Sequence, residues 1–548
     1  MTTLPSGLPV VVQRADSLPL AVQISAQLEA AVTGGVLHAG DRLPSSRDLA
    51  VSLGVSRTVV TNAYARLFAE GWLEGRHGSG TYVADVAAPP AVPRDSPHRT
   101  ASVPGAKPPA AAPGTPAGAD EPAGRPAPID LQPGISWADG IDPAAWRRAW
   151  RQAGAHLPSR WPDPYGLPEL REAIAAYLRR SRGLAVGPER VLITQGVSSG
   201  LALLADVLLA PGDRAGIEEP GYPTGREVLR RAGAGVVPCR VDAHGIVPEE
   251  LPGDLRLLYT TPAHQYPLGG RLPVSRRQAL ITWARATGAI IVEDDYDSEF
   301  RYDVGPLPAL HSMDPDVIVY LGTASKILAT AFGAGWLVAP PELVDKLAAL
   351  RPQLGVRIPE PVQHAILALL RSGDLERHIR RMRLEYGRRR AALVDGLTRA
   401  GARAGWDAAD AGPNRAPFRL LGDTAGMHVV LELPDGFPVG RLIDAAAECG
   451  VTVYPLDRYY AGKPTMNGLI IGYGTATLPQ IRRAASELAT LLRRFQPPSP
   501  LAGSQSVTDP WRRWPASSHA HRATLAPHGA HSSDASARDH EAFRQGEG

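Results

Sequence analysis

Between Ala84 and Pro128 the chain is written almost wholly in alanine, proline and glycine, with few side chains that a core could bury. Such a stretch cannot hide enough apolar surface to offset the entropy of ordering it. It therefore divides the molecule into a head, 1–84, a linker, 85–128, and a body, 129–496. A flexible linker of roughly 45 residues reaches on the order of 35 to 40 Å, and further where proline stiffens it. After Gln496 the composition turns to Pro, Ser, His and Ala, so 497–548 is expected to be a disordered tail. Its His519, His521, His528 and His531 read as solvated side chains, and no metal site is expected.

With 548 residues, 44% of them hydrophobic and 21% charged, the chain suits a soluble protein with at least one large core. Cys239 and Cys449 are its only cysteines, which argues against a disulfide framework or a cysteine-built zinc site and fits a reducing cytoplasm. No apolar run reaches the roughly 18 to 20 residues of a membrane span, and Met1 to Gly7 does not resemble a signal peptide. The net charge of +3 says little about nucleic acid.

In the head, Leu20, Ile24, Leu28 and Ala31 have helical spacing. Ser45-Ser46-Arg47 caps a short helix ending at Gly54, and Ser56 caps a second, Arg57 to Glu70, with Val60, Tyr64 and Leu67 on its inner face. Gly71–Glu74 and Gly80–Val83 read as short strands of a hairpin with the tip Gly75–Ser79. Two helices around a tight turn place the second in a DNA major groove. The candidate contacts are Arg47, then Ser56, Arg57, Thr58 and Thr61, with Arg76, His77 and Gly78 on the wing. Hydroxyls and a helix N-terminus suit phosphate oxygens, and arginine can also reach guanine. Leu43-Pro44-Ser45-Ser46-Arg47-Asp48-Leu49-Ala50, Gly54-Val55-Ser56-Arg57, Glu70-Gly71-Trp72-Leu73 and His77–Val83 closely resemble the winged helix-turn-helix of GntR-type repressors.

The body alternates short apolar strands with helices, which argues a mainly parallel, helix-covered sheet and a ligand at the strands' carboxyl ends. Strands are expected at 190–194, 214–218, 235–239, 256–260, 289–293, 317–321 and 335–338. A smaller lobe follows, with helices over 361–399 and 479–494 and strands near 427–433, 450–454 and 469–473. The run Val317–Leu321 leads into Gly-Thr-Ala-Ser-Lys and delivers Lys326, one of only four lysines in a chain that otherwise writes arginine. Unlike arginine, a desolvated lysine can lose its proton and condense with an aldehyde. Ala289–Val292 delivers Glu293, Asp294, Asp295 and Tyr296, while Thr194–Ser199 offers glycine, hydroxyls and helix N–H groups to an anion. An amine, a carboxylate, a phenol and a phosphate nest are what pyridoxal 5'-phosphate needs.

The order of these motifs resembles the type I aminotransferase fold from about Ile129 to Arg494. Trp161–Gly166, Glu219-Pro220-Gly221-Tyr222, Thr261–Gly269 and Asp294–Phe300 look more specifically like MocR-family (GabR-like, PdxR-like) regulators, which join a GntR-type head to an aminotransferase-like body. The fold implied is α/β overall: an α+β winged head, a large mainly parallel sheet domain and a smaller C-terminal lobe. By position, the resemblance makes Lys326 the Schiff-base lysine, pairs Asp294 with the pyridine nitrogen, puts Tyr296 and His264 at the ring hydroxyl and stacks Tyr222 on the ring. Val197, Ser198 and Ser325 would hold the phosphate. Four departures stand out. Gly333 occupies the place of a phosphate-binding arginine, Trp161 that of a tyrosine reaching from a neighbouring subunit, Leu469 that of the carboxylate-binding arginine, and Thr224 that of another arginine. A slip of one or two residues would bring in Arg458 or Arg226 instead.

The expectation is a homodimeric regulator of promoter double-stranded DNA, in the cytoplasm. Its body would serve as a sensor of pyridoxal phosphate, an amino compound or both, rather than as an enzyme. A working aminotransferase and a regulator with a decayed cofactor site are the alternatives.

Overall fold

A computed structural model describes residues 10–14, 19–70, 72–76, 80–84, 128–302, 308–403, 418–422 and 424–495. The expected linker, apart from Pro128, the tail, and the wing residues His77 and Gly78 lie outside the described residues.

The head runs α1 (Leu20–Thr33), β1 (Arg42–Leu43), α2 (Ser46–Leu53), α3 (Arg57–Glu70), β2 (Leu73–Arg76) and β3 (Gly80–Val83). Ser45 caps α2 by accepting from the Asp48 N–H, and Gly54, in the left-handed region at φ 61°, ends it. Glycine adopts that conformation without a Cβ clash, so the chain can turn tightly into α3. The inner face of α3 is Val60, Ala63, Tyr64 and Leu67, packed with Ile24, Leu28, Leu49 and Trp72. The wing is a three-stranded antiparallel sheet in which β1, a strand beyond the hairpin expected from sequence, pairs with β3. Residues 11–13 are held against α1 by two glutamines one turn apart: Gln27 bonds the N–H and carbonyl of Val11, and Gln23 those of Gln13.

The body continues with β4 (Ile129–Asp130), α4 (Pro143–Gly154), α5 (Pro168–Arg182), β5 (Val191–Thr194), α6 (Val197–Leu208), β6 (Arg214–Glu219), α7 (Pro223–Arg231), β7 (Gly235–Asp242), β8 (Gly245–Ile246) and β9 (Leu255–Thr260). Next come α8 (Val274–Thr287), β10 (Ile290–Asp295), β11 (Ile318–Thr323), β12 (Gly335–Val338), α9 (Pro341–Leu354), α10 (Glu360–Arg371) and α11 (Asp374–Arg403). The large sheet has the order β5-β12-β11-β10-β9-β6-β7-β8, parallel from β11 through β7, with β12 and β8 antiparallel. Strands buried on both faces explain the continuous Val, Ile and Leu runs.

The smaller lobe contains β13 (Arg419–Leu421), β14 (His428–Leu433), α12 (Val439–Glu448), β15 (Val451–Thr452), β16 (Tyr454–Pro455), β17 (Asn467–Gly472) and α13 (Leu478–Arg494). Its antiparallel sheet, β13-β14-β17-β16, shares a core with α11 and α13. No helix among the described residues is long and apolar enough to cross a membrane.

Candidate ligand site and DNA-facing surface

Four strands end on one edge of the large sheet, and each delivers polar groups there. Asp294 pairs in register with Leu321 of β11, and Glu293 with Thr260 of β9, so β9, β10 and β11 finish together. Because β12 runs the opposite way, its first residue, Gly335, lies between Thr323 at the end of β11 and Thr194 at the end of β5. A Cβ at 335 would meet the Gly322 carbonyl at 2.5 Å and the Gly196 Cα at 2.9 Å. Glycine thus lets the N-terminus of α6, with Val197 and Ser198, approach the turn that carries Ser325 and Lys326. Gly196 supplies the turn into α6 at φ 110°. Tyr222, at the start of α7, places its hydroxyl 3.1 Å from Ser198 Oγ.

The acidic run after β10 is buried, and each carboxylate has its own partners. Glu293 accepts the N–H groups of Leu310 and His311, both at 2.8 Å. Asp295 is ion-paired with buried Arg182 and accepts from Tyr320 and Ser298. Asp294 accepts the Tyr259 hydroxyl at Oδ2, while its buried Oδ1 has no partner. Burial, with the charge of Asp295, pushes the Asp294 carboxyl up to about 7 against the opposite pull of Tyr259 and Lys326.

Lys326 donates to the carbonyl of Gly134. Burial holds its ammonium below the usual lysine range, although Asp294 and Asp297 pull upward. This amine is therefore more readily neutral than an exposed one. Nearby, the hydroxyl of Tyr296 and the Oδ2 of Asp297 each lie 2.9 Å from His264 Nδ1, and His264 Nε2 is buried without a partner. Glycine at 426 makes room for this cluster, because a Cβ there would fall 2.5 Å from Asp297 and 2.6 Å from the His264 ring. Tyr266 packs edge-on against Tyr222, Tyr296, His428 and Tyr459, adding an aromatic wall.

Seven of the sequence-derived ligand residues occupy this edge on their own hydrogen bonds or strand ends: Lys326, Asp294, Tyr296, Tyr222, His264, Ser198 and Ser325. Val197 also begins α6, but its side chain is buried in the core beneath, leaving its backbone N–H as the useful group. Sequence reasoning missed Tyr259, Asp297 and the Gly134 carbonyl.

The departures from an amino-acid site are structural as well as textual. Leu469 does not line the site: it packs with Leu431 and Ile471 in the core beneath β14 and β17. Strand alternation turns Ile470 to the opposite face, and it too is apolar. Arg226 is engaged by Glu219 and the Tyr459 carbonyl, and Arg458 lies over the Tyr454 ring. Gly333, at φ 55°, has nothing within 4 Å of its Cβ position.

On the head, Arg47, Ser56, Arg57, Thr58 and Thr61 are all exposed, at the start of α2 and the first turns of α3. Arg57 Nε reaches Ser46 Oγ at 3.4 Å, joining the two helices. Arg76 is the last residue of β2.

Comparison with known proteins agrees with both halves. Residues 20–83 match the bacterial regulatory proteins, gntR family, and residues 136–430 match aminotransferase class I and II. The HTH-type pyridoxine biosynthesis transcriptional regulator PdxR of Corynebacterium glutamicum is 36% identical over 485 residues, covering 88% of this chain and 98% of that protein. The probable rhizopine catabolism regulatory protein MocR of Rhizobium meliloti is 32% identical, with 87% of this chain and 95% of the relative covered. Among solved structures, an archaeal alanine:glyoxylate aminotransferase superposes with a TM-score of 0.60 at 26% identity, covering 67% of this chain and 91% of that one. With a gntR-type winged head and a body of the aminotransferase fold, the chain belongs to the MocR-type transcriptional regulators.

Proposed function

We propose that this regulator senses pyridoxal 5'-phosphate itself, held at Lys326. The observation that carries this reading is a site whose polar groups suit the cofactor's ring, while Arg226 and Arg458, the arginines nearest a carboxylate role by sequence, are taken up by other groups. Two orphaned buried atoms, Asp294 Oδ1 and His264 Nε2, together with a lysine held below its usual range, fit a polar heterocyclic aldehyde. When bound, the group supplies an electrophilic aldehyde and a protonatable ring nitrogen.

The chain's own residues do the rest. Lys326 offers a neutral amine, Asp294 Oδ1 accepts from the ring nitrogen, and Tyr296, backed by His264 and Asp297, orients the ring hydroxyl. Tyr222 covers a ring face. The N–H groups at the start of α6, with Ser198 and Ser325, receive the phosphate. Leu469 and Ile470 offer no charge to a carboxylate, which disfavours turnover of ordinary amino acids. The name of the Corynebacterium relative, a pyridoxine biosynthesis regulator, supports the same effector.

The domain limits are 1–84, 85–128, 129–496 and 497–548, and the protein acts in the cytoplasm as a homodimer. Leu157 and Trp161, 89% and 82% exposed in the single chain, support a second copy covering that loop. The deciding experiment is an absorbance titration of the purified protein with pyridoxal phosphate, repeated with Lys326→Ala. A new band in the unmodified protein that vanishes in the variant is expected; its absence from the unmodified protein defeats the proposal.

A further inference from the structure

The apolar core of the head is completed by the body. Val274, the first residue of α8, is only 2% exposed because it is buried in the cluster formed by Ile24, Leu28, Val60 and Trp72, and Met313 packs against the same cluster. No other body residue belongs to that cluster among the described residues. The apolar part of the contact is small, two body side chains among the described residues, and relative motion is the default for domains joined by small interfaces.

Both side chains lie within three residues of a backbone N–H that bonds a segment carrying a site residue. On the Val274 side, the Leu272 N–H donates to the Pro262 carbonyl at 3.0 Å, in the turn that carries His264 two residues later. On the Met313 side, the Leu310 and His311 N–H groups hold the carboxylate of Glu293, the residue before Asp294. Arg277 ties the two segments together, donating to the Leu272 and Pro308 carbonyls at 2.9 Å each. The His264 turn and the end of β10 thus share one frame with the two residues on which the head rests.

We propose that docking of the head on Val274 and Met313 is the contact through which the ligand site controls DNA binding. The inference rests on the sensor reading above. A ligand that favours one arrangement of the Asp294 and His264 turns changes the free energy of docking, and linkage requires docking to change ligand affinity by the same factor. Couplings of this kind span about 5- to 150-fold.

The test uses the full chain and two variants outside the ligand site, Val274→Asp and Met313→Ser, the second touching a residue only partly buried. Amide hydrogen exchange should quicken at 274–277 and 310–313 in both variants. With a duplex selected by the unmodified protein from a random pool, adding pyridoxal phosphate should change the DNA Kd of the unmodified protein about tenfold or more. In the variants that ratio should fall toward one while the ligand's absorbance band persists. Unchanged exchange, or variants retaining the full ligand effect, would overturn the inference alone. An unmodified protein with no ligand band would overturn the sensor reading and this inference with it.

Discussion

The hydroxyl of Tyr259 donates to one carboxylate oxygen of Asp294 and leaves the other buried and unpartnered. This division of labour keeps the carboxylate oriented and makes it easier to ionise than burial alone would allow. Hydrogen bonds to charged groups contribute about 1.5 to 3 kcal/mol. Tyr259→Phe is therefore expected to weaken pyridoxal phosphate binding by about tenfold or more. A fluorescence titration measures this directly, and unchanged affinity would remove Tyr259 from the site.

Ligand affinity should depend on pH with a definite sign. The Asp294 carboxyl is raised to about 7, so below that value it is protonated and cannot take up a positive ring nitrogen. Above it, the carboxylate forms and binding strengthens. Lys326, held below its usual range, acts in the same direction because more neutral amine becomes available as pH rises. Affinity at pH 8 should exceed that at pH 6 by about tenfold, following the ionised fraction of a group titrating midway. Isothermal titration at the two pH values checks it, and Asp294→Asn should flatten the profile.

Much of this site could be read without coordinates because chemistry-bearing residues end apolar runs. Lys326 follows Val317–Leu321, and Asp294 follows Ile290–Val292, so pattern and site coincide. Tyr259 was hidden for the opposite reason: it lies inside such a run, after Leu257 and Leu258, where it reads as core. The Gly134 carbonyl carries no side-chain signal at all. Leu469 could be read from sequence only as apolar; that it joins Leu431 and Ile471 in one core follows from the period-two alternation of β17 and its pairing with β14. The exposed face of α3 followed directly from its buried stripe, whereas β1 is two residues long and depends wholly on its pairing with β3.

Gly333 allows two opposing magnitudes to be compared. An arginine there would have open space but would adopt a left-handed conformation, costing roughly 1 to 2 kcal/mol. A charge-assisted, bidentate hold on a phosphate contributes about 1.5 to 3 kcal/mol or more. The strain is the same with and without ligand and so acts on folding alone: Gly333→Arg should tighten pyridoxal phosphate binding by about tenfold or more while lowering thermal stability without ligand by a few degrees. Equilibrium dialysis against the phosphate-free aldehyde, pyridoxal, separates the causes: only the phosphorylated ligand should gain. Equal gains for both would show that the new side chain does not reach the phosphate.

The DNA-facing surface makes a prediction that does not involve the ligand. Arg57 is exposed at the first position of α3 and bridges to Ser46, the first residue of α2, so its guanidinium stands beside two helix N-termini, a setting that suits a backbone phosphate. If it neutralises one phosphate, Arg57→Ala should reduce the slope of log K against log salt by about 1. Affinity should fall by roughly tenfold at low salt, uniformly across related sequences. If Arg57 instead reads a base edge, the loss should concentrate at one position of the operator, at about 1 to 3 kcal/mol, with the salt slope less affected. Anisotropy titrations on a selected duplex and its single-base variants, at several salt concentrations, distinguish the two. The Ser46 contact favours the phosphate role, because it holds the guanidinium beside the N-terminus of α2.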